Sequence, residues 1–235
     1  MTHSRQRHDT RPLLSARARR PAAVAFTCAV LILAGGAVLV HDQYADPLDR
    51  RFDTWAQTRF AGHRATLQLL ADLGQKEAVI VGIAVLCLAC LAARRVNGAV
   101  LAAVGAPAAA VATEKVLKPL ASHLFVYAGY PSGHTTSFFA LVATMAVLLA
   151  GPPVGKAPRT PRISRVAIVA VALLVGCAVA VAVVGVGDHR FIDTVGGAAV
   201  GIAVVLTATF LLDLPVSRSL LGLTWLTRPP PAPST

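Results

Sequence analysis

Apolar residues in this chain collect in runs about 20 residues long, separated by short polar joints, and not in short periodic stretches. A helix rises 1.5 Å per residue, so a run of that length crosses a hydrocarbon layer of roughly 30 Å. Six spans are predicted, at 21–41, 77–93, 97–117, 133–150, 166–187 and 194–213. The expected fold class is all-α: a polytopic membrane helical bundle of six transmembrane helices, forming one domain over 21–213. Residues 1–20 hold six arginines and no apolar period, and are expected to be a basic disordered cytoplasmic tail. Residues 214–235 are expected to be a Pro-rich cytoplasmic tail. No small-x-small cleavage pattern precedes His41, which predicts an uncleaved first helix and not a signal peptide. The segment 42–76 is too polar to cross. Its Leu48, Phe52, Trp55, Phe60, Leu67 and Leu70, with charges between them, predict an outer interfacial helix or pair of helices, a solvated loop being the alternative.

Composition agrees with lipid as the solvent. Hydrophobic residues make up 55% of the 235 and charged ones 14%, where a soluble domain carries about a quarter charged. The net charge of +11 invites a nucleic-acid reading, but the distribution of that charge explains it better. With the N-terminus inside, the inner segments hold 14 of the 22 basic residues and two of the 11 acids, Asp9 and Asp213. Cytoplasmic loops retain Lys and Arg, so both termini are expected on the cytoplasmic side of a cell inner (plasma) membrane, with no nucleic-acid partner. Cys28, Cys87, Cys90 and Cys177 all lie in apolar runs and read as small buried hydrophobes. No metal or other cofactor is expected. The Ala, Val, Gly and Arg bias suggests a bacterial, high-GC source.

Ionisable groups near membrane depth are costly and mark function. Three clusters stand out: Glu114, Lys115 and Lys118 closing the third span; Ser132, Gly133 and His134 opening the fourth; Asp188, His189, Arg190 and Asp193 between the fifth and sixth. In the predicted topology all three emerge on the same extracytoplasmic face. Pro131, Ser132 and Gly133 before an apolar run mark a helix start, with Ser132 a possible cap. Free N–H groups and the helix dipole there favour an anion such as phosphate. Simple capping, with His134 as an interfacial residue, is the plain alternative. His189 and Asp193 share a helix face if their turn is helical, which allows Asp193 to orient the imidazole. A structural hydrogen bond explains such a pair equally well.

Together these residues resemble the type 2 phosphatidic acid phosphatase superfamily, in its membrane lipid phosphatase branch. That superfamily also includes bacterial acid phosphatases and vanadium haloperoxidases. Its motifs run Lys-x6-Arg-Pro, Pro-Ser-Gly-His and Ser-Arg-x5-His-x3-Asp. The chain matches the second at Pro131 to His134, the end of the third at His189 and Asp193, and the start of the first at Lys118. Both motif arginines are missing: Phe125 and Val126 stand in place of Arg-Pro, and Ala182 and Val183 in place of Ser-Arg.

The resemblance implies a metal-independent hydrolase acting on a lipid phosphate monoester or pyrophosphate, such as phosphatidate, phosphatidylglycerol phosphate or a polyprenyl pyrophosphate. His189 is implied as the nucleophile that forms a phosphohistidine, Asp193 as its orienter and His134 as general acid and base. Lys118, Ser132 and Gly133 are implied phosphate ligands, with Arg190 or Lys115 making up the lost positive charge and His123 able to do so only when protonated. Three alternatives remain: a phosphotransferase of the same superfamily, a catalytically degenerate lipid-binding membrane protein, and a transporter with intramembrane charges. Neither the particular lipid nor the oligomeric state is legible.

Overall fold

Long uncharged runs in lipid have one way to satisfy their own backbone polar groups, which is to wind into helices. The computed structural model describes residues 12–41, 47–124, 129–152 and 161–214, and these form helices joined by short turns, with no strand among them. In chain order they are α1 (Ala16–His41), α2 (Pro47–Arg59), a 3-10 turn (Ala61–His63), α3 (Arg64–Asp72), α4 (Lys76–Ala92), α5 (Val96–Val111), a π-helical turn (Ala112–Leu117), α6 (Lys118–Leu124), α7 (Gly133–Ala150), α8 (Arg162–Val186) and α9 (Phe191–Leu212).

Each of the six predicted spans coincides with a helix. Five are long and apolar enough to cross alone, the third because α5, the π turn and α6 run on without a break through Val96–His123. The exception is α4, whose 17 residues rise only about 25 Å. It reaches spanning length together with Ala61–Asp72, across a bend of 45°. The polar segment between the first two spans is a pair of helices, as one of the two expectations had it. Leu67 and Ala71 of α3 pack on Val179, Ala182 and Val183 of α8. Phe52 of α2 lies against Phe191 at the head of α9, ring centroids 4.2 Å apart.

α7 and α9 form the centre of the bundle. Their close approach depends on glycine: a Cβ at Gly201 would lie 2.5 Å from the Thr136 carbonyl oxygen and 2.8 Å from the Ala140 nitrogen. Backbone atoms cannot move aside as a side-chain tip can, so only glycine fits. At the other end of α7, Arg95 Nη1 donates to the Leu148 carbonyl at 2.6 Å and Arg165 Nη1 to that of Leu149 at 3.0 Å. Both guanidinium groups thereby satisfy carbonyls at the negative end of the helix dipole.

The expectation that order begins only after residue 20 is corrected. α1 starts at Ala16, and the residues before it are held: Leu13 and Leu14 are buried. Their N–H groups donate to Asp213 Oδ1 at 2.6 Å and Oδ2 at 3.1 Å. An acid 200 positions away supplies this anchor, which local composition cannot reveal. Residues 1–11 and 215–235 lie outside the described residues.

Candidate active site

The three polar clusters meet at one end of the bundle. α8 stops where Gly187 takes a left-handed conformation (φ 90°). Gly187 N–H donates to the Val184 carbonyl and Asp188 N–H to that of Val183, the paired closing bonds of a Schellman turn. The reversed chain brings the His189 ring to 6.1 Å, centroid to centroid, from the His134 ring at the start of α7. His189 Nδ1 lies 3.5 Å from Asp193 Oδ2, with the Asp193 side chain fully buried. That separation is too long for a hydrogen bond. With Nδ1 turned toward the carboxylate, Nε2 is the ring nitrogen left for a substrate.

The His189–Asp193 turn is not helical, which corrects the shared-face reading. Arg190 is extended and precedes the first residue of α9. Asp193 Oδ2 accepts the Arg190 N–H at 2.9 Å. The carboxylate thus closes the helix start and faces the histidine at once. Ser132 likewise occupies the cap position of α7 but makes no side-chain capping bond. Its N–H donates to the Asp193 carbonyl at 2.9 Å, tying the heads of α7 and α9 together. Its carbonyl accepts from the Thr136 hydroxyl at 2.8 Å, and its own Oγ is buried with no partner among the described residues.

Lys118 reaches this place from the third span. A Cβ at Gly133 would stand 3.7 Å from Lys118 Nζ and 2.5 Å from Glu114 Oε1. The π turn is fixed to α7 by a hydrogen bond between the Thr113 and Thr136 hydroxyls at 3.1 Å. Turns of this kind recur at functional sites because the extra residue re-aims side chains. The structure therefore brings His134, His189, Asp193, Ser132, Gly133 and Lys118 together. Lys115 is exposed on the π turn. Arg190 sits on the α2 side, where its charge acts on Asp53. His123 is exposed on α6.

Four residues around the site were given no role by sequence. Asp53 Oδ1 accepts the Phe191 N–H at 3.0 Å and Asp49 Oδ1 that of Ile192 at 2.8 Å. With Asp193 on Arg190, three successive N–H groups at the head of α9 each meet a different carboxylate. None of these three N–H groups is left for an external anion. Gly74, after α3, abuts the His134 backbone. The Tyr130 hydroxyl donates to the Leu33 carbonyl at 2.7 Å, and burial raises its pKa, with the Asp193 charge adding to the effect. The only sequence signal was an i, i+4 pair of acids in a polar segment, which names no partner.

The family model described as the PAP2 superfamily matches residues 106–213, which contain all three clusters. Over this segment the chain is similar to the PAP2 superfamily. No individual curated protein and no solved structure matches it.

The likeness to PAP2 puts the missing arginines in physical terms. The third-motif positions, Ala182 and Val183, are both wholly buried, packed under Leu67 and Ala71 of α3. No guanidinium emerges into the site from there. The first-motif positions, Phe125 and Val126, lie outside the described residues. Lys118, which matches the start of the first motif, forms an ion pair of 2.6 Å with Glu114.

Proposed function

We propose that this PAP2 protein is an integral membrane lipid phosphatase that hydrolyses a lipid phosphate monoester or pyrophosphate through a phosphohistidine at His189. The observation that carries the reading is the pairing of two imidazoles across one space, with a buried carboxylate behind only one of them. A binding protein needs no such asymmetry. His189 Nε2 attacks phosphorus as the bond to the lipid oxygen breaks, and His134 gives that oxygen its proton. Water then attacks the phosphohistidine, His134 takes the water proton, and the N–P bond breaks to release phosphate. Asp193 keeps the proton on Nδ1 and offsets the imidazolium charge. Lys118, Ser132 and the N–H groups at Gly133 bind the equatorial oxygens, with Arg190 and Lys115 as secondary cations.

A lipid substrate is supported by a groove of about 560 Å³ between α1, α8 and α9. Ala29, Phe139, Val181 and Ala199 line it, and Phe52, Phe191 and Thr194 border its end next to Asp193. A hydrocarbon tail is the chemistry that such an apolar lining fits. We place the protein in the inner (plasma) membrane with both termini cytoplasmic and the site outside.

The test is phosphate release in detergent, with EDTA present, from phosphatidate, phosphatidylglycerol phosphate and polyprenyl pyrophosphate. Release that survives EDTA and vanishes in His189→Ala is expected. Equal release by that variant would sink the nucleophile assignment, and release from none would sink the hydrolase reading.

A further inference from the structure

One oxygen of Glu114 occupies the place where a phosphate is expected. Glu114 Oε1 accepts from Lys118 Nζ at 2.6 Å, and it stands 2.5 Å from the position of a Cβ on Gly133, the first residue of α7. It therefore lies on the ammonium group and beside the first residue of α7, near the positive end of that helix. The π turn holds it there, since the preceding Thr113 is fully buried and bonded to Thr136. The two charges are unequally placed: the Glu114 side chain is 46% exposed and that of Lys118 24%. The carboxylate has a path to solvent, while the ammonium stays. Next to Gly133, the buried Ser132 hydroxyl has no partner among the described residues. A flat carboxylate leaves it unused, whereas a tetrahedral anion carries a further oxygen for it.

We infer that Glu114 is a specificity-determining residue, a resident anion that a substrate phosphate must displace from Lys118. The inference rests on the proposed function only for where phosphate binds. Each phosphate, whether free or attached to a lipid, meets the same competitor. A lipid phosphate regains the loss through its tail, and a small soluble phosphate cannot. The substrate class this selects is a phosphate whose affinity resides in its apolar part. The same competition expels inorganic phosphate after hydrolysis.

The experiment is calorimetric titration of the full-length protein in detergent with inorganic phosphate. Glu114→Gln keeps the shape and removes the charge, and Glu114→Ala serves if the amide disturbs folding. Removing the competitor should tighten phosphate binding about tenfold, the scale of one charge-assisted hydrogen bond. The gain should disappear when Lys118→Gln is added. Unchanged or weaker binding in both Glu114 variants would overturn the inference, as would a gain that persists without Lys118. Failure of the phosphatase reading is seen separately, in the release assay with His189→Ala.

Discussion

Val183 stands where the PAP2 third motif has arginine, and it is completely buried beneath α3. Restoring the family residue should therefore harm the protein. Val183→Arg buries a charge with no partner provided for it, at a cost of about 3 kcal/mol or more. A lower melting temperature in detergent and no gain in phosphate release are expected; a more active and equally stable variant would show that the position faces the site. The convergence of the motif residues was legible from sequence: His134, His189, Asp193, Ser132, Gly133 and Lys118 come together. Residues whose roles depend on distant partners were not. Asp49 and Asp53 act on atoms 143 and 138 positions away, and nothing local in the chain records such a pairing.

At the scale of elements, α2 holds the head of α9 through two carboxylates, although it lies outside the residues that match the PAP2 model. The geometry of the candidate site thus depends on a helix that the family motifs leave out. Asp49 is buried, so Asp49→Ala strands the Ile192 N–H and should cost about 1–3 kcal/mol. It should also lower kcat more than it changes KM, because His189 and Asp193 sit on the released turn. Asp49→Asn keeps an oxygen acceptor and should restore most of both losses. Failure of that rescue would mean that the charge, and not the acceptor, is what α9 requires.

Asp53 behaves differently. Burial raises its pKa above the ordinary 3.8, the Phe191 N–H pulls it back, and the charges of Asp49 and Asp193 push it up again. A carboxyl with a raised folded value binds its proton more tightly when folded. It contributes stability while protonated and loses that contribution as pH rises through the folded value. Asp53→Asn has no such proton. Melting temperatures measured between about pH 4 and pH 7 should therefore fall less steeply in the variant than in the parent.

At the scale of the molecule, the helical membrane bundle was legible because lipid enforces a simple rule of length and polarity. The rule failed at α4, too short alone, and at the start of α1, where tertiary contact overrides a basic composition. That contact is testable. Asp213→Ala strands two buried N–H groups, those of Leu13 and Leu14, and should cost about 2 kcal/mol. Faster proteolysis ahead of α1 should accompany the drop in melting temperature, and unchanged cleavage would show the anchor to be idle.

The same contact constrains how the protein is made. A chain emerging from the ribosome exposes Leu13 and Leu14 long before Asp213 exists. The contact surface of α1 on α9, where Ala29 meets Ala199 and Ala203, must wait as well. The first helix therefore enters the bilayer as a lodger without a room, stable there through hydropathy alone. The bundle is completed only when α9 arrives to claim it, with Asp213 just behind, 200 positions after Leu13. Nascent chains stalled before α9 should thus be inserted yet unassembled, the species most available to membrane quality control.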